Sequence, residues 1–383
     1  ALSDKDYQVV HEALRALVYR TAWLADMGWK LKLSPPGLLA KEIYRRFDGF
    51  TAPLQNEQFL RLLEHMSGGS VRRDGAPPPA SADKIAQERE LPVGEVKRRL
   101  ATAAEHGDLH ALALEKGIFK LGPRIQCPTC LRHSWYSLDQ VSDVFTCPKC
   151  QTNFPALGNL DGATWCYKTT GPFSVPGYAD GAYAVLLALE FFDDRRMHTM
   201  RRTPIVSFVA EGPNKKPLEA DFALLWEESL YGERKSGVIF GESKTYGTFD
   251  EKDFSRMRHI AQTFPGAVLV FSTLRRSLTR QETVEIRKIA RAGRKYWKAE
   301  RPINPVLILT GTELLSWSGP PYCWEGPVRE RFDRVAGLLD LCDATQQLYL
   351  NLPSWRAEWH QKWEARRHRR ALARAARQTN RDV

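Results

Sequence analysis

The sequence predicts an α/β protein whose largest unit is a central sheet flanked by helices, preceded by smaller helical and metal-binding modules. Three observations carry this. From about residue 172 onward, stretches of period two alternate with stretches of period 3.6, as when strands and helices take turns around one sheet. Upstream, four of the seven cysteines form two Cys-x-x-Cys pairs, Cys127/Cys130 and Cys147/Cys150. Over 383 residues, 43% are hydrophobic and 26% charged. That is enough apolar material for a sizeable core, and it excludes a wholly disordered chain.

No run of about 18 apolar residues is present, so no membrane-spanning helix is expected. The opening Ala1-Leu2-Ser3-Asp4 has neither an initiator Met nor a secretory pattern. A cytoplasmic location is expected, and the missing Met reads either as a trimmed start or as a piece of something longer. Lys and Arg outnumber Asp and Glu by 56 to 45, a net charge of +11. That balance favours a polyanionic partner, nucleic acid or an acidic surface.

Residues 1–80 read as a helical region, with Val9, Leu14, Leu17 and Val18 at helical spacing and a second periodic stretch from Gln55 to His65. The glycines at 68 and 69 and the prolines 77–79 mark a turn or linker. In 81–122, Ser81 is placed to cap a helix through Glu88, and Pro92 opens a second helix to about Glu105. Weak alternation from Asp108 to Leu121, with glycines at 107 and 117, reads as a β-hairpin. Two helices and a hairpin resemble a winged helix-turn-helix, with Val93–Ala104 as recognition helix and Lys97, Arg98 and Arg99 facing phosphate. The alternative is a helical hairpin with a solvated basic face.

In 123–160, each Cys-x-x-Cys can turn two thiolates onto one ion. Two such knuckles, 16 residues apart, supply the four-sulfur tetrahedron that Zn²⁺ accepts. Trp135, Tyr136, Val144 and Phe145 suit short covering strands, and the whole resembles a zinc ribbon. The spacing fits neither ferredoxin pattern, and two symmetric pairs argue against a redox dithiol. With Cys127, Cys130, Cys147 and Cys150 all used, no open position remains, so the zinc is expected to be structural. Arg132, His133 and Lys149 would permit nucleic-acid contact; Cys166, Cys323 and Cys342 read as buried apolar residues.

The unit 172–345 reads as a helix from Asp180 to Phe192, strands at 204–210, 218–225 and 237–244, and a helix at 250–262. A strand at 267–272, a helix at 279–298, a strand at 305–310 and a helix near 329–340 follow. Asp180 reads as a cap for the first helix. Within this unit, Glu219-Ala220-Asp221 and Glu242-Ser243-Lys244 both fall in apolar stretches. Period two puts Glu219 with Asp221 on one face, and Glu242 with Lys244 on one face. Adjacent antiparallel strands would gather these acids around a divalent cation with an ammonium beside it. Mg²⁺ prefers hard oxygen ligands. It neutralises a scissile phosphate and acidifies a bound water, while the lysine orients that water and faces developing charge.

On these residues the chain resembles the PD-(D/E)xK, or restriction-endonuclease-like, nuclease superfamily. Asp221 stands on the second strand, Glu242-Ser243-Lys244 on the third, and the helix 250–262 and strand 268–271 follow in order. The residue before Asp221 is Ala220 where the family pattern has proline; the nearest proline is Pro217. The resemblance implies a mixed sheet flanked by helices and metal-dependent hydrolysis of DNA leaving a 5′-phosphate. It implies Mg²⁺ or Mn²⁺ held by Glu190, Asp221, Glu242 and the Ser243 carbonyl, with Lys244 activating water and Glu219 a weaker candidate for a second metal.

The stretch Arg275–Arg301 carries ten Lys or Arg against three Glu, a face that would suit phosphates or simply water. In the tail 350–383, Trp355, Trp359 and Trp363 recur every four residues and read as a packing stripe, followed by Arg366, Arg367, Arg369, Arg370, Arg374 and Arg377. The function expected is an endonuclease acting on duplex DNA, by analogy of fold a component of a prokaryotic defence or mobile-element system. The competing readings are an inactive nucleic-acid-binding scaffold and an endoribonuclease. Cutting both strands predicts a homodimer. The lack of a G-x-x-x-x-G-K-[ST] loop leaves any ATPase or targeting role to a protein partner.

Overall fold

The computed structural model describes residues 28–70, 89–101, 108–192, 200–212, 216–230, 233–298, 301–335 and 337–379. The Val9–Val18 periodicity and the Ser81–Glu88 helix lie outside them. The described chain opens on a short strand β1 (Lys30–Leu33), which the helical reading of this region did not anticipate. Helix α1 (Pro35–Arg46) follows, with Ser34 accepting the Gly37 N–H and proline at its start. Gly37 lets the helix close on the sheet, since a Cβ there would lie 2.2 Å from the Ser207 carbonyl oxygen. Helix α2 (Glu57–Met66) is capped by Asn56.

The middle of the chain differs from its sequence reading. After β2 (Leu91–Pro92) and α3 (Val93–Ala101), the expected hairpin is instead a helix, α4 (Leu109–Glu115), and then strand β3 (Phe119–Gln126). Asp108 caps α4 through the Ala111 N–H. Gly117, at φ +61, ends the helix rather than turning a hairpin. Because α4 follows it, α3 is not the last helix before the strands, the place expected of Val93–Ala104. Its Lys97, Arg98 and Arg99 are exposed, with Arg99 paired to Glu95.

Strands β4 (His133–Trp135), β5 (Val144–Thr146) and β6 (Asn153–Pro155) build the cysteine module. Then β7 (Thr164–Thr169) returns to pair with β3, giving a sheet ordered β2-β7-β3-β4. The module is thus an insertion at the tip of a long antiparallel pair. Ile125, Tyr136, Phe145, Phe154 and Ala156 form its own small core with Cys127 and Cys147.

Residues Gly177–Gly181 all have positive φ, and Glu64 receives the N–H groups of Gly177 and Tyr178. Helix α5 (Ala182–Phe191) starts from Gly181 with no side-chain cap, so Asp180 does not cap it. Every residue of α5 is buried, as expected of a helix apolar all round and covered on all sides.

The principal sheet is six-stranded, ordered β1-β8-β9-β10-β11-β14. Its long strands β8 (Met200–Glu211), β9 (Leu218–Leu230) and β10 (Glu233–Lys244) are antiparallel neighbours. Helix α6 (Glu251–Thr263) then leads to β11 (Val268–Thr273), parallel to β10. Helix α7 (Arg280–Gly293) and the short pair β12 (Trp297–Lys298) and β13 (Arg301–Pro302) precede β14 (Val306–Leu309), parallel to β11. All residues of β11 and β14 are buried, as suits parallel strands covered on both faces. The result is a mixed α/β architecture with a central sheet flanked by helices.

The sheet separates two cores. Phe222, Leu224, Ile239 and Val270 face α5; Ala223, Phe240, Leu269 and Phe271 pack with Phe254, Met257 and Ile260 of α6 and Ile286 and Ile289 of α7. Gly241 leaves no room for a side chain against the first core, for a Cβ there would lie 2.0 Å from the Phe222 ring. Gly241→Ala is therefore expected to destabilise the protein by about 1–3 kcal/mol through overpacking, read as a lower denaturation midpoint in urea. An unchanged midpoint would show that the Phe222 ring swings aside at no cost.

The helix expected at 329–340 is two helices, α9 (Gly326–Arg331) and α10 (Leu338–Leu350), after the short α8 (Gly311–Leu314). The last, α11 (Trp355–Thr379), holds the tryptophan stripe. Trp355 is buried, Trp359 lies 5.8 Å from the Trp297 ring, and Trp363 is exposed beneath Arg367. Several arginines of 275–301 serve the interior and not a basic face. Arg275 is buried against Glu282, and Arg287 donates to the Leu350 carbonyl. Arg294 joins Gln346, the Pro353 carbonyl and Glu358.

Candidate functional site

The four cysteine sulfurs lie within 4.8 Å of one another and form a cluster able to chelate a metal ion. The knuckles match. Cys127 and Cys147 each accept from the residue four positions on, Leu131 or Gln151, and those two residues share a left-handed conformation. Sγ–Sγ distances of 3.6 Å for Cys127–Cys150 and 3.7 Å for Cys130–Cys147 are far beyond the roughly 2.0 Å of a disulfide. They fit the edge of a tetrahedron with metal–sulfur bonds of about 2.3 Å. The Thr152 hydroxyl and N–H pull the Cys150 thiol down to about 6, and the N–H groups of Cys130 and Thr129 lower Cys127. Cys130 goes the other way: the Arg132 N–H pulls it down, but burial and the neighbouring sulfurs outweigh that and push it up to about 11. Sulfurs crowded in this way share their charge only with a cation among them.

The second constellation sits where the start of β9 meets the end of β10, on the face covered by α6. The Ser243 N–H donates to Asp221 Oδ2 at 2.7 Å, tying the two strands just where β9–β10 pairing ends at Gly241 and Phe222. Glu242 is 1% exposed; its Oε1 lies 3.5 Å from Lys244 Nζ and accepts from Arg256 at 2.7 Å. Lys244 donates to Asp253 at 2.9 Å. Arg256 also meets Asp253 and reaches outward to Glu219 at 2.8 Å. Asp221, Glu242 and Lys244 therefore converge as the period-two argument required.

Two members escaped the sequence reading. Asp253 and Arg256 come from the first turns of α6, where Asp250 and Asp253 form a capping box. That box was legible as Asp250-x-x-Asp253 and should have fixed where the helix begins. Glu219, a candidate for a second metal, is instead the exposed partner of Arg256. Glu190 does not join the group. It lies on α5, across the sheet, and its Oε2 accepts from the Thr51 N–H and hydroxyl at 3.1 and 2.8 Å. Ser243, expected to offer its carbonyl, contributes its N–H, and its hydroxyl pairs with Ser272 at 2.7 Å.

Burial, then the charges of Asp221 and Asp253, push the Glu242 carboxyl well above its ordinary value. Burial likewise raises Asp221 against the Ser243 N–H. Burial works to lower Lys244, but Glu242 and Asp253 outweigh it and hold it as an ammonium. Four carboxylates thus face two cations, and Glu242 Oε2 is buried with no donor to satisfy it, while the Asp253 carboxyl lies near enough to share a proton carried by Glu242. An unpaired buried acid oxygen is costly and calls for a proton or a cation. Among the described residues, however, the cysteines are the one group of three or more such ligands within that mutual distance. A groove of about 690 Å³, lined by Ala261, Ile289, Ala292 and Tyr296 among others, includes none of the acid-cluster residues.

Among the described residues no helix is long and apolar enough to cross a membrane. No known protein family, curated protein or solved structure matches the chain.

Proposed function

We propose that this chain is a divalent-metal-dependent endonuclease that hydrolyses phosphodiester bonds of DNA, with a structural zinc in its four-cysteine module. The observation that carries the reading is the buried, unpartnered Oε2 of Glu242 beside Asp221 and Lys244. Asp221 and Glu242 would hold Mg²⁺ or Mn²⁺, with the Ser243 carbonyl as a further oxygen; Glu190, engaged by Thr51, is left out of the set. When bound, the ion supplies charge neutralisation at the scissile phosphate and a more acidic water. Lys244, kept protonated, orients the attacking water and faces the charge that develops. The Ser243 N–H fixes Asp221 in the conformation the site needs.

A net charge of +11 and the exposed Arg367 and Arg369 of α11 favour duplex DNA as substrate. The helices α2, α3 and α4 with β2, β3 and β7 resemble a winged helix whose wing bears the metal module, with α4 in the second-helix place. Such a unit would dock on DNA or on the partner that supplies targeting. Cutting of both strands would use two copies of the chain.

The test is cleavage of supercoiled plasmid, linear duplex and single-stranded DNA, with matched RNA, in Mg²⁺, Mn²⁺ or EDTA. Cutting that needs the divalent ion and falls by about 10²-fold or more in Lys244→Ala is expected. Cutting that survives in that variant would place the chemistry elsewhere. A second reading, an inactive nucleic-acid-binding scaffold, draws on one fact: Arg256 and Lys244 already compensate part of the acid cluster. DNA binding with no cutting in any metal would favour it.

A further inference from the structure

We infer that the exposed face of α6 is a phosphodiester-binding track serving this site, with Arg256 as its central ligand and Glu219 standing in for phosphate in the free protein. The inference rests on the nuclease reading above and names how the substrate backbone is held. Arg256 is gripped unequally. Its Nη2 meets Glu242 and Asp253, whose side chains are 1% and 2% exposed; its Nη1 meets Glu219, whose side chain is 51% exposed. The inner bonds anchor the guanidinium, while the outer one is solvent-screened and readily exchanged. A guanidinium presents a fork that suits phosphate as well as carboxylate. A phosphate arriving from solvent can therefore replace Glu219 without disturbing the buried end.

The surroundings extend the site. Lys252, Arg256 and His259 recur at i, i+4 and i+7 along α6, and Lys252 is exposed. His259 Nε2 lies 3.4 Å from the Lys216 carbonyl, which brings exposed Lys216 alongside from the β8–β9 turn. Seven residues of helix span about 10 Å, against a rise of about 3.4 Å per nucleotide along one strand. The track thus accommodates more than one phosphate and ends beside Lys244. Glu219 is an acid that interrupts the track; Asp250 caps the helix beside Lys252, and Glu251 is turned to Arg258.

The test is fluorescence anisotropy of a labelled DNA duplex with the full chain in EDTA, where no cleavage is required. Glu219→Gln is expected to tighten binding about three- to tenfold and to steepen the salt dependence by about one counterion. Lys252→Ala should weaken it. Arg256→Gln should weaken it too and abolish the gain, so that the double variant binds no better than Arg256→Gln alone. Because Arg256 also serves two buried acids, its variant is first checked by thermal melting; Lys252→Ala, on an exposed side chain, is free of that concern. No gain from Glu219→Gln, or the same gain in the Arg256→Gln background, would overturn the inference, as would a wild type that does not bind. The same pattern on RNA would support it, the phosphodiester being common to both. If anisotropy behaves as expected but no divalent ion elicits cutting, the catalytic reading falls and the track stands. Metal-dependent cutting with unresponsive anisotropy would mean the reverse.

Discussion

Replacing Glu242 by Gln is expected to cost about 10²-fold or more in divalent-dependent cleavage and, in the same protein, to flatten the pH dependence of stability. Burial first, then Asp221 and Asp253, hold this carboxyl well above its ordinary 4.5, so the folded state binds its proton more tightly than the unfolded state does. The stabilisation from that proton is full below about pH 4.5 and is lost as pH rises through the folded value. The loss is about 1.4 kcal/mol for each tenfold difference in proton affinity. The lowered carboxyls of Asp253, Glu282 and Glu358 act with the opposite sign at acid pH, so the quantity that reports Glu242 is the difference. Above about pH 4.5, metal-free wild type should lose more melting temperature with rising pH than Glu242→Gln does. Mn²⁺ should restore the wild type at the alkaline end, where the carboxylate is free of its proton, and do little for the variant. Thermal melts across pH in EDTA and in Mn²⁺ measure this without any substrate. A Mn²⁺ response that persists in Glu242→Gln would remove Glu242 from the metal site whatever the cleavage assay shows.

Stripping the cysteine module of its metal is expected to unfold residues from about Ile125 to Ala156 while leaving the six-stranded sheet intact. The module's own core amounts to Ile125, Tyr136, Phe145, Phe154 and Ala156 around two of the cysteines. That is too little apolar burial to offset the entropy of ordering the loops. A four-thiolate zinc supplies about 10 kcal/mol or more in small domains, so a zinc held by this cluster would decide, rather than the core, whether this part folds. Elemental analysis should find one zinc per chain in wild type and a deficit in Cys147→Ser. Limited proteolysis should cut the variant between Cys127 and Ala156, while the β8–β11 region remains protected. A module that resists protease after the metal is removed would show that its aromatic core suffices.

The cysteine cluster was legible because it is local. Each knuckle is specified by two residues and the turn between them, and only the approach of one knuckle to the other needed the fold. Asp221, Glu242 and Lys244 were legible for a related reason: period two assigns faces within a strand, and the order of β8, β9 and β10 follows from the short connections between them. Gly117 misled because a glycine at positive φ serves a helix end as well as a hairpin; the signal that separates them is Asp108, a capping residue placed ahead of Leu109, Leu112 and Ala113 at helical spacing. The edge strand β1 was missed because four residues alternating Lys and Leu acquire strand character only by pairing with Val209 and its neighbours on β8.

What the sequence by itself determined is the set of elements whose signal repeats within a few residues: the knuckles, the long strands with their acids, the capped helices α6 and α7 and the tryptophan stripe. The tertiary structure alone decided which charged groups from other elements join Asp221, Glu242 and Lys244. Asp253 and Arg256 enter it because α6 docks its first turns over β10, and Glu190 is kept from it because α5 lies on the other side of the same sheet. Charges interact through space at a few ångströms, and no period along the chain encodes that distance.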